Sequence, residues 1–170
     1  MKKLIVLLEG LTNKKVIFED SVFKSRRMDE RLLPAKKKLD EYIELKSANH
    51  ILIDRNIEFK DCLMLEKFYQ GYKVDVDGSV FLCDEYIKKL PIINFNKIIG
   101  NFWCDNAELI SLKGCPKFVG GDFDCKANLL ESLEFCPEVV LGDFKCHSNA
   151  IDFTVDDVKK YCKVSGMIKC

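Results

Sequence analysis

The stretch GGDFDCKANLLESLEFCPEVVLGDFKCHSNAIDF, Gly120–Phe153, says nearly the same thing twice. Phe123 and Cys125 in the first copy recur as Phe144 and Cys146 in the second. Working outward at that spacing, Phe102 and Cys104 precede them, and Phe81 and Cys83 precede those. Four coincident Phe-x-Cys pairs make the region from about Ser79 to Cys162 a repeat array. Its period of about 21 residues falls in the range of roughly 20 to 50 that marks a solenoid.

Each repeat reads roughly G-x-F-x-C-x-x-N-x-L-x-S-L-x-x-C-P-x-x-V. Side chains alternate across a strand, so Phe and Cys are expected on one face and the residue between them on the other. Asn128 and Asn149 stand third after the cysteine, where an asparagine side chain can hydrogen-bond backbone as the chain turns and stack with its neighbour. Leu109, Leu130 and Ile151, then Leu112 and Leu133, are expected to supply the next inward ladder. Cys115-Pro116 and Cys136-Pro137 mark the far bend, from which Val119 and Val140 return. One coil cannot bury its own apolar edge, but stacked coils bury a continuous one. Six of the nine cysteines occupy two repeating positions and are read as small buried groups.

The phasing resembles a leucine-rich repeat, L-x-x-L-x-L-x-x-N-x-L, with Phe and Cys in the two strand leucine slots. The wording S-L-x-x-C-P-x-x-V-x-G-D-F-x-C-x-x-N is similar to repeats in accessory proteins of tailed bacteriophages. The resemblance covers residues 79–153. It departs at the first two copies, where Tyr86 and Ala107 stand in the asparagine slot. It implies a short parallel β solenoid, and a partner that is a host factor or defence component, inhibited or redirected.

The flanks read differently. Residues 3–8 and 16–18 look like a hairpin or two edge strands, and a helix is expected from Pro34 to about Leu45. Three short strands follow at Ile51–Ile53, Ile57–Phe59 and Leu63–Leu65. Cys62 precedes Cys83 by the same interval that separates the later cysteines, and a degenerate first rung is one reading of it. Asp75–Ser79 lacks the first and last ligands of a calcium loop, Lys73 and Asp84 standing there, and is read as a turn. Thr154 is a good N-cap for a closing helix, with Asp156 and Asp157 in its first turn. The expected fold is therefore mixed α/β (α+β). Residues 1–75 form an N-terminal β-α-β cap or subdomain, 76–153 a leucine-rich-repeat-like parallel solenoid, and 154–170 a C-terminal capping helix and tail.

Composition narrows the function. Lys+Arg and Asp+Glu balance at 27 each. Residues 1–60 hold 14 basic against 10 acidic residues, and residues 79–162 hold 9 against 13, an unevenness typical of solvated surface. The opening MKKLIVLLEGL is too short in its apolar run for a signal peptide, and nothing approaches a membrane span. A soluble, cytoplasmic chain without cofactor or metal is expected. Only His50 and His147 are available as imidazoles, and no catalytic motif appears. No catalytic residue is assigned. Between the inward Phe and Cys, the outward slots spell a panel of Leu82, Trp103, Asp124 and Lys145, flanked by Asp105, Asp122, Lys126 and His147. Trp103 is the one tryptophan, and tryptophan is enriched at binding hot spots. A non-catalytic protein-binding module is the leading expectation. A nucleic-acid binder using the basic front, or a small enzyme with its site in residues 1–75, is the alternative.

Overall fold

The computed structural model describes residues 33–83 and 87–170. The strands expected at 3–8 and 16–18 lie outside these. The elements in order are α1 (Leu33–Asp40), β1 (Ile43–Ser47), β2 (His50–Ile53), β3 (Ile57–Glu58), α2 (Phe59–Phe68), β4 (Lys73–Val76), β5 (Val80–Phe81) and β6 (Asn94–Ile98). There follow β7 (Phe102–Trp103), β8 (Phe118–Val119), β9 (Phe123–Asp124), β10 (Val139–Val140), β11 (Phe144–Lys145), α3 (Val155–Tyr161), β12 (Lys163–Val164) and β13 (Ile168–Lys169). Among the described residues this is a mixed α/β protein with three helices and two sheets of mostly parallel strands. The seven-stranded sheet runs β1-β2-β4-β6-β8-β10-β12 and the six-stranded sheet β3-β5-β7-β9-β11-β13. The chain alternates between the sheets, so one strand from each makes a tier.

Register places one apolar ladder inside each sheet. In the larger sheet Ile53, Val76, Ile98, Val119, Val140 and Val164 lie side by side. In the smaller, Ile57, Val80, Phe102, Phe123, Phe144 and Ile168 do. The two ladders meet as the core, and Phe102, Phe123 and Phe144 are fully buried. Their rings follow one another at 6.0 and 4.9 Å. Burying each such ring contributes roughly 1.5–3 kcal/mol. Cys104, Cys125 and Cys146 form the column beside them, all buried.

The tiers of the smaller sheet are not all of one length. The interval from Phe102 to Phe123 equals that from Phe123 to Phe144, but the interval from Val80 to Phe102 is longer by one residue. That extra residue has a specific cause. Val74 pairs with Phe95, but Asp75 pairs with Lys97, so Asn96 is bulged out of β6. The bulge puts Val80 and Leu82, rather than Phe81 and Cys83, into the inward slots. The expected Phe81/Cys83 copy is thus corrected: Val80 and Leu82 are fully buried, and Phe81 faces outward beside Trp103.

Tiers are tied to one another at the corner between the sheets. Gly100, Gly121, Gly142 and Gly166 each donate N–H to the carbonyl of the preceding corner glycine, beginning at Gly78. The approach is so close that a Cβ on Gly142 would lie 2.6 Å from the Gly121 carbonyl oxygen. The next residue in each corner reaches across as well. Asn56 Oδ1 accepts from Ser79 N, Ser79 Oγ from Asn101 N, Asn101 Oδ1 from Asp122 N, Asp122 Oδ1 from Asp143 N, and Asp143 Oδ1 from Met167 N, at 2.7–3.0 Å. At the far turn Asn128, buried, accepts from Ala107 N and Leu109 N and donates to the carbonyls of Cys104, Cys125 and Lys126. Asn149 does the same with fewer partners, accepting from Leu130 N and donating to Cys125 and Cys146 carbonyls.

Several flank expectations are corrected. The helix expected to Leu45 stops at Asp40, and Ile43–Ser47 pairs antiparallel with β2. Leu63–Leu65 lies in α2, not a strand. Its capping box of Glu58 and Asp61 starts that helix, and Cys62, Leu65 and Phe68 bury one face. Cys62 is therefore helical. The first tier is instead β2 and β3, which pair in parallel with β4 and β5 across the boundary placed at residue 76. At the other end α3 begins just after Thr154, its N-cap as expected, but β12 and β13 then continue both sheets past the boundary placed at 154. Ile151 is exposed, not inward, and Phe153 is buried instead. No described helix is long and apolar enough to cross a membrane.

Candidate binding face

The outer side of the smaller sheet carries one ladder, Glu58, Phe81, Trp103, Asp124, Lys145 and Lys169, neighbours by register. Adjacent parallel strands lie about 4.8 Å apart, so these side chains make a continuous surface. It has an aromatic half and a charged half.

The aromatic half is Phe81 against Trp103, edge to face with centroids 5.1 Å apart. Neither is a core residue; both are half-buried. The Trp103 indole N–H is buried and has no hydrogen-bond acceptor among the described residues. An unpaired buried donor costs on the order of 1–3 kcal/mol.

The charged half is a mesh of ion pairs. Lys126 Nζ lies 2.7 Å from Asp124 and 3.3 Å from Asp105. Lys145 Nζ lies 3.2 Å from Asp122 and 3.9 Å from Asp124, and Lys169 Nζ lies 2.9 Å from Asp143. The lysine stems cover Asp124, which is 5% exposed although it points out of the sheet. The contact with Asp124 holds Lys126 above the usual lysine range. Lys169, then the Met167 backbone N–H, hold Asp143 below the usual aspartate value. Each of these lysines is matched by an aspartate, so among the described residues this mesh offers no free stripe of positive charge for phosphates.

Of the eight residues expected on this face, Trp103, Asp124 and Lys145 lie on its central ladder. Asp105, Asp122 and Lys126 join through the ion pairs. Leu82 does not belong: the Asn96 bulge turns it inward, where it is fully buried. Val80, two residues before it on the same inward side, is buried for the same reason. His147 is exposed, and its Nδ1 meets Ser148 Oγ at 3.1 Å rather than any of the carboxylates. Phe81 is the functional candidate that reading by cysteine spacing missed. Its signal was the glycine: Gly78-Ser79-Val80-Phe81-Leu82 aligns with Gly100-Asn101-Phe102-Trp103-Cys104 and puts Phe81 opposite Trp103.

The other histidine sits on the opposite sheet. His50 Nε2 is 2.8 Å from Asp75 Oδ2, and the bulge residue Asn96 donates to Asp75 Oδ1 at 2.7 Å. No nucleophile accompanies this pair in the described contacts. No group of three His, Cys, Asp or Glu side chains that could hold a metal ion occurs among the described residues. No protein-family description, curated protein or solved structure matches this chain.

Proposed function

We propose that the chain is a leucine-rich-repeat-like parallel solenoid that binds another protein, without catalysis, through the outer face of the smaller sheet. The observation that carries this reading is the outward, half-buried Phe81–Trp103 pair beside a charge mesh that is already satisfied. Aromatic residues with one polar handle dominate binding energy when a partner covers them, and a neutralised rim costs little to dock against. The likeness of the repeat wording to phage accessory proteins makes a bacterial host protein the first partner class to try, and an inhibitory or redirecting role the first effect to seek.

The test is affinity capture from bacterial lysate with three forms of the full chain: wild type, Trp103→Ala, and Lys163→Glu on the exposed part of the opposite sheet. Circular dichroism confirms that each is folded. Wild type and Lys163→Glu should retain the same protein, and Trp103→Ala should release it, losing at least about tenfold in affinity. Equal retention by all three would move the site off this face. Retention of nucleic acid with steep salt dependence would replace the reading altogether.

A further inference from the structure

The sulfur column beside the phenylalanine ladder does not end at Cys146. Gly166-Met167-Ile168-Lys169-Cys170 repeats the corner pattern, and register sets Ile168 beside Phe144 and Lys169 beside Lys145. Cys170 therefore occupies the slot next to Cys146, and their Sγ atoms are 3.4 Å apart. Neighbouring parallel strands are about 4.8 Å apart, inside the Cα separation of about 4.4–6.8 Å that a disulfide accepts. The pair can thus close without moving the backbone far.

What distinguishes this pair from the rest of the column is access. Cys104 and Cys125 are sealed in the core, as are Cys136 and Cys162. Cys170 is exposed. It can meet a reagent from solvent, while its neighbour waits behind it.

We propose that Cys146 and Cys170 are a reversible oxidation site that closes to a disulfide and clamps β13 onto β11. The oxidant is a small disulfide of the glutathione class. The Cys170 thiolate attacks one of its sulfurs, forming a mixed disulfide and releasing the first small thiol. Cys146 Sγ then attacks the Cys170 sulfur, its proton passing to the departing small thiolate, which leaves as the second thiol. Two protein thiols give up two electrons and two protons, and one small disulfide becomes two thiols. Burial holds the Cys146 thiol above its ordinary pKa, so the second step is the slower one and is driven by the contact.

Reduced full-length protein is incubated in buffers of increasing oxidised-to-reduced glutathione ratio and followed by intact mass and by non-reducing peptide mapping. The expected product is two hydrogens lighter and carries one Cys146–Cys170 cross-linked peptide. Dithiothreitol reverses it, and Cys170→Ser, altered at an exposed position, does not form it. Phe144 N–H and Cys146 N–H donate to the Met167 and Lys169 carbonyls, so their hydrogen exchange should slow by on the order of tenfold once the clamp is closed. The proposal is overturned if Cys170 stops at the mixed glutathione adduct or joins a different cysteine. It is equally overturned if no hydrogens are lost in the most oxidising buffer.

Discussion

The tiers running from Gly100 to Phe153 and the tiers on either side of them are built on the same corner but advertise it differently. In the middle, successive strand pairs repeat at one constant interval and the return segment contains no helix. In front, α2 fills the return of the first tier, and Asn96 adds a residue to the next. Behind, α3 fills the return and makes the interval from Phe144 to Ile168 the longest in the smaller sheet. The corner itself barely changes. Gly78, Gly100, Gly121, Gly142 and Gly166 all occupy it, and the side chain that follows each of the first four bonds the next tier. What a tier must keep physically is the close backbone approach and the inward apolar ladder; the return loop is free to vary.

The comparison can be broken most forcibly at the far turn. Asn128 satisfies two buried N–H groups and three carbonyls, whereas the preceding tier has Ala107 in that slot. Asn128→Ala leaves the Ala107 and Leu109 N–H groups unpaired and should cost about 3–4 kcal/mol in chemical denaturation. Ala127→Ser, exposed and next to it in the chain, is the control and should cost little.

A smaller effect sharpens the contrast at the rear. Asp143 bonds Met167 N and pairs with Lys169, and these partners depress its pKa in the folded state below the ordinary 3.8. A depressed carboxylate stabilises the fold fully above its unfolded pKa, and the contribution is lost as pH falls through the folded value. Exchange of the Met167 amide should accelerate as pH falls below 3.8, beyond the change in intrinsic rate. Asp143→Asn, which keeps an acceptor but not the charge, should flatten that acid dependence.

The legibility of the sequence followed the same division. The Phe-x-Cys spacing disclosed β7, β9 and β11, their inward ladder and the asparagine turn, because equal return lengths keep every slot in phase. It misplaced the front copy because Cys83 happens to keep the cysteine interval from Cys104, while the backbone register there is one residue longer. Glycine spacing was the better guide, since a corner where an added Cβ would lie 2.6 Å from a backbone carbonyl oxygen tolerates no substitution, and a core slot tolerates Phe, Val or Ile alike. The same guide marks Gly166–Cys170 as a further tier. Leu63–Leu65 looked like a strand only because its three apolar residues were read apart from Glu58-x-x-Asp61, the capping box that makes them helical. Ile43 and Leu45 fit a helical period by chance, and the antiparallel partner that decides for strand, Ile51–Ile53, is not local. For the binding face, Trp103 was visible as the one tryptophan, but its partner Phe81 required the register. The ion-pair mesh that neutralises Asp122 and Asp124 required coordinates.

The register of the front tiers is the claim on which the core, the aromatic pair and the face all depend, and equilibrium unfolding of Leu82→Ala beside Phe81→Ala tests it directly. With Asn96 bulged out, Leu82 is core and its truncation should cost about 3 kcal/mol, while Phe81, half-buried against Trp103, should cost about 1 kcal/mol. A large loss for Phe81→Ala and a negligible one for Leu82→Ala would put the tier back in phase with the cysteines and contradict the account.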